Sequence, residues 1–386
     1  MYLIDLIKKI IVICFTDKPY RIKEYLQLTE SIAGQPIDVP ENYNRILLRE
    51  TGALLFYRPL PGILQGQLTE RYMGKNKRYL PGGLYKEPDR VLYSLSDSCI
   101  LGQLGVVYIP KKRAYVSEAA KDWLLPLQYS PYTNLLHFPP SKKLPGITLS
   151  CLTNSADAGF YHFIFESMVK LGFARLVIPH VDFLLFNGPE EEWKVNWLSR
   201  AGIDMEKIVW VSNHDHYDCE QLLFTSRLIM DQQISPWCIN TLRQLLAVPE
   251  PQAILPGQTK VFLISRKNFI RNIEWEETIL EQYPFIERID CSKLNPDQTI
   301  SKMAEATHII GAHGAALSNL FFCRPGTRVL EVYPVEKTYQ PCYFRICQVC
   351  DLPYTVTYID FENKNNPVTG SVKLNAVLET FLDNIS

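Results

Sequence analysis

One histidine stands among small residues in the stretch IIGAHGAALSNLFF, which starts at Ile309. An apolar run leads into Gly311, His313, Gly314 and Ala315, and a second apolar run follows them. A glycine-rich turn between a strand and a helix offers backbone N–H groups and the positive end of a helix dipole, which suit a phosphate. The spacing matches neither GxxxxGK[ST] nor GxGxxG. These residues alone therefore fit a turn packed against a helix about as well as a phosphate loop.

A cluster of cations follows another apolar run, in VFLISRKNFIR from Val261. Ser265 and Arg266 come directly after the run, and Arg271 lies five positions further on. A guanidinium matches phosphate oxygens with two parallel hydrogen bonds. If the run is a strand of the same sheet, these cations lie at the same edge as the turn formed by residues 312–315, which we call the AHGA turn. The alternative is a solvated basic turn, which is common.

A carboxylate interrupts a third apolar run, VLEVY, at Glu331. Such runs normally exclude acidic side chains. One interpretation is an outward-facing position in an alternating strand. The other is a ribose ligand, because a carboxylate can accept two hydroxyl hydrogen bonds. Together with the AHGA turn and the basic turn, Glu331 predicts a site for a nucleoside diphosphate.

A candidate acid–base pair occurs in YHFIFE, where His162 and Glu166 are four positions apart and share one helix face. Asn154 and Asp157 precede the helix, where N-cap residues belong. The pair could simply stabilise the helix, by ~0.2–0.5 kcal/mol. It could also supply a general base and its partner. The second histidine of a zinc-protease helix is missing.

Two further groups suggest a metal and are better explained without one. NHDHYD, from Asn213 to Asp218, holds two histidines and two aspartates, and we interpret it as a polar turn. Cys347 and Cys350 form one CxxC without the second pair that a zinc site requires. We therefore predict no metal and no bound cofactor.

The candidate residues lie on a predicted series of strands and helices. Short alternating strands begin near Arg90, and strands and helices alternate from Cys151 onward. This order predicts an α/β fold with parallel sheets and helices on both faces. A linker near 253–257 separates a first half, 90–252, from a second, 258–386, which ends in an amphipathic helix. Residues 1–89 are predicted to be an irregular extension.

Composition restricts the class of protein. The 386 residues carry a net charge of -1, so the sequence-wide basic field of nucleic-acid binders is absent. The ten cysteines are scattered, as in a reduced protein. The uncharged run from Ile10 to Phe15 is far shorter than the ~20 residues of a membrane helix, and it lacks the pattern of a signal peptide. We expect a cytoplasmic protein, with peripheral association at the inner membrane face as an alternative.

The blocks YHFIFE, LISRKNFIR and GAHGAALSNLFFCRPGTRVLEVYP, in this order, resemble glycosyltransferase family 61. That family includes bacterial enzymes of capsular polysaccharide synthesis, plant xylan-modifying transferases and animal protein O-glycosyltransferases. The resemblance covers roughly Arg90 to Asp360. It implies a GT-B arrangement, two Rossmann-like domains facing across a cleft. It also implies inverting transfer from a UDP-linked sugar to a glycan hydroxyl without an obligatory metal.

The resemblance assigns roles by matching position. It implies that Ser265, Arg266 and Arg271 hold the donor phosphates or uridine and that Glu331 binds the ribose. The residues implied to line the pyrophosphate are Gly311, His313, Gly314 and Ala315. His162 and Glu166 match the H-x-x-x-[ED] motif on a helix of the family, and either residue could be the base. Trp275-Glu276 stands where the family commonly has an Asn-Glu pair. The alternative function is a non-catalytic nucleotide-sugar or glycan-binding component of a polysaccharide assembly complex.

Overall fold

The computed structural model describes residues 44–57, 83–112, 114–116, 139–229, 233–251, 253–254, 257–266, 275–334, 340–359 and 377–383. Among them the chain forms two compact units. The first unit contains residues 44–53 and 86–229, and the second contains 54–57, 83–85 and the residues from 233 onward. Arg271, the run from Ile10 to Phe15 and most of the predicted N-terminal extension lie outside the described residues.

The strands of the described residues are, in chain order, β1 (Asn44–Glu50), β2 (Leu54–Tyr57), β3 (Gly83–Lys86), β4 (Arg90–Leu101), β5 (Val106–Ile109), β6 (Ala114–Val116), β7 (Lys142–Ser150), β8 (Phe183–Asn187), β9 (Ile208–Val211), β10 (His216–Thr225), β11 (Val261–Ile264), β12 (Ile286–Ile289), β13 (His308–Ala312), β14 (Arg328–Pro334) and β15 (Tyr354–Ile359). Three of them, β1 to β3, fall within the first 89 residues, where the sequence predicted irregular structure.

The helices are α1, which runs continuously through Phe160–His162, Phe163–Met168 and Val169–Phe173, α2 (Glu192–Arg200), α3 (Pro236–Leu245), α4 (Trp275–Gln282), α5 (Pro296–Glu305), α6 (Cys342–Val349) and α7 (377–382). Short 3₁₀ helices span Pro110–Lys112, Ile178–His180, Met205–Lys207, Cys291–Lys293 and Ala315–Phe322. No helix within the described ranges combines the length and the apolar composition needed to cross a bilayer.

The first unit is built on a mixed sheet of eight strands, ordered β6-β5-β4-β10-β7-β8-β9, with β1 also paired to β4. Strands β10, β7, β8 and β9 are parallel, whereas β4 is antiparallel to β1, β5 and β10. The parallel pairing predicted for the strands after Cys151 is therefore confirmed for β8, β9 and β10, whereas no orientation was predicted for the short strands that begin near Arg90. Four residues join β4 to β5, and so short a connection permits only antiparallel pairing.

The polar stretch NHDHYD is a turn only in its first half. Asp215 N–H bonds to the Ser212 carbonyl, and strand β10 begins at His216. Tyr217 and Cys219 are buried in the core of the unit and alternate with His216 and Asp218. The prediction of a turn before YDCEQLLF is therefore wrong only for His216, because its alternation with Tyr217 and Cys219 is a strand pattern.

The second unit contains a five-stranded sheet of order β12-β11-β13-β14-β15, in which every pair is parallel. This confirms the predicted alternation for the second half. The termini of α5 follow sequence rules, because Asn295 and Gln298 form a capping box around Pro296 at the first turn. Helix α7 packs Leu378 and Phe381 into the core of this unit. The second unit is therefore the parallel α/β body that the resemblance implied.

Candidate functional site

The basic turn and the AHGA turn are neighbours in the second unit. Strands β11 and β13 are paired in parallel, with Ile264 opposite Gly311, so the residues after each strand emerge at one edge of the sheet. The half-buried Arg266 donates from Nη1 to the His313 carbonyl oxygen at 2.5 Å. The structure thus places the basic turn and the AHGA turn at one edge of the sheet, as the sequence predicted.

Glu276 holds the basic turn in place. Its carboxylate accepts from the Ser265 hydroxyl at 2.7 Å and from the Arg266 backbone N–H at 2.8 Å. The side chain is buried, and the Arg288 guanidinium lies 3.5 Å from its Oε2. In the sequence, Glu276 stands out only as part of a departure from the family pattern. The available signal was a carboxylate in the first turn of a helix just after a basic loop, where the helix dipole favours it.

The two glycines of the GAHGA stretch, Gly311 at the end of β13 and Gly314 in the turn, are required for different reasons. A Cβ at Gly311 would lie 2.9 Å from Cδ2 of Leu317, so this glycine lets the following helix pack on the strand. A Cβ at Gly314 would lie 1.7 Å from Nη1 of Arg266, so that glycine makes room for the guanidinium. Gly311 therefore fits the packing interpretation, and Gly314 serves the cationic site.

The N-terminus of the helix Ala315–Phe322 faces the same region. Its first N–H groups have no preceding helical carbonyl to bond, and Ala315 and Ala316 are partly exposed. The His313 N–H, by contrast, bonds to the Val332 carbonyl at 2.8 Å and so belongs to the sheet. An anion at this turn would consequently be held by the start of the helix and by Arg266, not by the whole loop.

The His313 side chain is buried and contacts three other side chains of the second unit. Its Nδ1 lies 2.5 Å from Oε1 of Glu331, and its ring packs on Tyr333 and Tyr343 at centroid distances of 4.3 and 5.1 Å. The Tyr354 hydroxyl donates to the second oxygen of Glu331. Glu331 is 0% exposed, so it is not the outward-facing strand residue that one interpretation expected. Both carboxylate oxygens have protein partners.

The candidate acid–base pair lies on α1 of the first unit, at a helical irregularity. Residues Phe163–Met168 are π-helical, a rare geometry that is frequent at functional sites. His162 Nδ1 lies 3.0 Å from Oε1 of Glu166, and the Thr153 hydroxyl donates to Oε2 at 2.8 Å. Each side chain of the pair is 19% exposed, so solvent and small solutes can reach it.

Asn187 and Lys170 support this pair, and the sequence singled out neither. Asn187 ends β8 and binds Thr153 on both sides, accepting from its N–H at 3.1 Å and donating to its carbonyl at 2.7 Å. Lys170 donates to the Leu152 carbonyl, and burial lowers the pKa of its amine, although nearby Cys151 and Glu166 raise it. The carboxylate of Glu166 therefore sits in a fixed, largely buried frame.

The N-cap of α1 differs from the prediction. Gly159 occupies that position without a side-chain cap bond, so the expectation for Asn154 and Asp157 is wrong. A Cβ at Gly159 would lie 2.4 Å from the Ser155 carbonyl oxygen, so close approach of the backbone selects glycine here. A side-chain cap was expected because the sequence shows polar residues but not how the loop folds back.

Comparison with known proteins gives one family. The model of the family described as Glycosyltransferase 61 matches residues 160–330, a span that includes His162, Glu166, Arg266 and His313. No curated protein matches the chain. The match confirms the resemblance that the sequence motifs carried.

Proposed function

We propose, from the glycosyltransferase family 61 domain that residues 160–330 carry, that this protein is an inverting, metal-independent glycosyltransferase. It moves a sugar from a UDP-linked donor to a glycan hydroxyl in surface or capsular polysaccharide synthesis. The GT-B arrangement implied by the resemblance is part of the same proposal. The observation that carries it is the junction of Arg266 with the AHGA turn, because a nucleotide leaving group needs a fixed cation.

The second unit would stabilise the departing UDP. Negative charge grows on the diphosphate as the glycosidic C–O bond breaks, and preorganised donors stabilise that charge best. Arg266 and the N–H groups at Gly314 to Ala316 are such donors. Arg271, which lies outside the described residues, keeps the donor-binding role that the resemblance implies. For Glu331 we propose orientation of His313 in place of the ribose contact.

The first unit would supply the base. Glu166 already accepts from His162 and Thr153, which favours a dyad in which the carboxylate orients the imidazole. In the transfer step the acceptor oxygen attacks the anomeric carbon, and its proton passes to Nε2 of His162. The C–O bond to the phosphate breaks at the same time, and its electron pair leaves with UDP.

UDP release from a panel of UDP-sugars with oligosaccharide acceptors tests this assignment. We expect His162→Asn to lower turnover by about 10²–10⁴-fold with unchanged UDP affinity. Glu166→Gln should lower it less, because the imidazole can still take the proton. His180→Asn, a change at an exposed histidine of the same unit, is the matched control and should leave turnover unchanged.

The other outcomes of these assays distinguish between the possible bases and between an enzyme and a binding protein. A larger loss in Glu166→Gln than in His162→Asn would make Glu166 the base. Near-normal turnover in both variants would remove the pair from the mechanism. UDP binding without release from any donor by the unmodified protein would instead support a non-catalytic nucleotide-sugar-binding component.

A further inference from the structure

We propose that Cys99, His216 and Asp218 form a zinc-type metal site on the sheet of the first unit. The three side chains come from two paired strands, β4 and β10, and lie on one face of the sheet. His216 and Asp218 are two positions apart on β10, and Cys99 is directly opposite Asp218. This juxtaposition of thiol, imidazole and carboxylate is independent of the sugar-transfer residues.

The distances fit a tetrahedral ion. The three ligand atoms lie within 4.8 Å of one another. Oδ1 of Asp218 is 3.1 Å from Cys99 Sγ and 3.5 Å from His216 Nε2. Zinc bonds of about 2.3 Å to sulfur and about 2.0–2.2 Å to nitrogen and oxygen give tetrahedral edges of about 3.3–3.6 Å. Small side-chain rotations would therefore complete the site.

Outer hydrogen bonds already orient two of the three ligands. His216 Nδ1 lies 2.8 Å from the Pro139 carbonyl oxygen, which places the ring proton on Nδ1 and turns Nε2 toward Cys99 and Asp218. Oδ2 of Asp218 accepts from the Ser141 hydroxyl at 2.6 Å, whereas Oδ1 accepts from the Cys99 thiol and would bind the ion once that thiol loses its proton. Partners of this kind accompany most metal-bound histidines and carboxylates.

The ligand set and its exposure select the class of ion. Thiolate with imidazole suits zinc and cobalt, whereas calcium and magnesium prefer oxygen. Cys99 and His216 are buried, but the Asp218 side chain is 41% exposed, so an ion and a fourth, water ligand can enter from that side. Burial, followed by the neighbouring Asp218, raises the pKa of the Cys99 thiol, so a metal must displace its proton.

The proposed metal site lies far from the candidate acid–base pair. Asp218 pairs with Lys143 near the start of β7, whereas Thr153, which bonds Glu166, follows the end of that strand. At about 3.3 Å per residue the two places are roughly 20 Å or more apart. A metal would join β4 to β10 and to the segment Pro139–Ser141, without touching the reacting groups.

Cobalt titration of the full chain, after EDTA treatment and in a phosphine reductant, tests the site. We expect a thiolate-to-cobalt charge-transfer band that saturates at one equivalent and is displaced by zinc. Cys99→Ser should abolish the band. Cys219→Ala should keep it, because Cys219 is the next residue on β10 after Asp218 and points to the opposite face. His214→Asn, at an exposed histidine of the adjacent turn, should keep it as well.

A second variant keeps the test valid if Cys99→Ser fails to fold. Asp218→Asn alters the most exposed ligand, and we expect it to weaken cobalt binding by about tenfold or more while leaving the metal-free melting temperature similar. Absence of a charge-transfer band at excess cobalt would overturn the proposal. So would a band that persists in Cys99→Ser, or unchanged cobalt affinity in Asp218→Asn.

Discussion

Arg266 donates from Nη1 to the main-chain carbonyl of His313 at 2.5 Å, so one hydrogen bond joins the turns that follow two neighbouring parallel strands. The cation is thereby held before any ligand arrives. Glu276 fixes the backbone at the base of the same arginine. Preorganised charge of this kind is worth more to a leaving group than a flexible cation, because none of it must be reoriented during the reaction.

Replacing Gly314 with alanine should weaken UDP binding with little loss of stability. The new Cβ would lie 1.7 Å from Nη1 of Arg266, and the flexible guanidinium can move away while the fold stays intact. We expect a loss of about tenfold in affinity, or about 1.4 kcal/mol, as for a good hydrogen bond to a charged group. Titration calorimetry with UDP, alongside a thermal melt, measures both quantities.

Gly311→Ala is the matched comparison. Its Cβ would meet Leu317 instead of the arginine, so we expect about 1–3 kcal/mol of lost stability and nearly normal UDP affinity per folded molecule. Reversal of these two phenotypes would show that Gly311, not Gly314, borders the anion.

Changing Glu331 to glutamine should affect stability more than donor binding. The carboxylate is fully buried between His313 and Tyr354, and an amide can accept only one of those two hydrogen bonds well. We expect about 1–3 kcal/mol of lost stability, measured by urea unfolding. Tyr354→Phe removes one of the two bonds and should cost less. A large drop in UDP affinity at unchanged stability would restore the ribose role.

The second unit could be predicted from sequence much further than the first. Buried parallel strands such as VFLIS and THIIGAH have strong apolar signals, because both faces of a parallel sheet are covered. The antiparallel pairing of β4 with β1 and with β10 was missed, because it joins segments that are distant in the chain. His216 shows another limit of the sequence. The alternation of polar and apolar residues that begins at His216 indicates a strand, but the polar composition of NHDHYD favoured a turn.

The sequence predicted which residues belong to the candidate site, but it did not predict which of them contact each other. Sequence placed His313 in a loop and Glu331 on a strand, yet their 2.5 Å pairing depends on the register of β13 against β14. Asn187 and Thr153 were missed because their role is to hold another residue, which no local pattern reports. The π-helical turn around Glu166 also has no sequence signature of its own.

Acid should destabilise the second unit through His308. Burial, and to a smaller extent the nearby Arg328, lowers the pKa of His308 from 6.5 to about 4. The unfolded chain therefore binds a proton first as the pH falls, so stability present above pH 6.5 is lost between pH 6.5 and about 4. One pKa unit is about 1.4 kcal/mol, reduced here by solvent because the ring is partly exposed.

Urea unfolding at pH 7 and pH 5 measures this loss. His308→Leu keeps an apolar contact with Phe381 and removes the titrating group, so its stability should fall less between the two pH values. Equal losses in the variant and the unmodified protein would assign the acid sensitivity to other groups.

Titration calorimetry with UDP on the unmodified protein and on Arg266→Ala is the decisive test of the proposed donor site. We expect UDP binding that needs no divalent cation and is weakened by about 1.5–3 kcal/mol, or roughly 10–150-fold, in the variant. Lys293→Ala, which removes an exposed cation of the same unit, should bind UDP normally. Absence of UDP binding in the unmodified protein, or equal affinity in Arg266→Ala, would show that Arg266 and the AHGA turn do not form a UDP site.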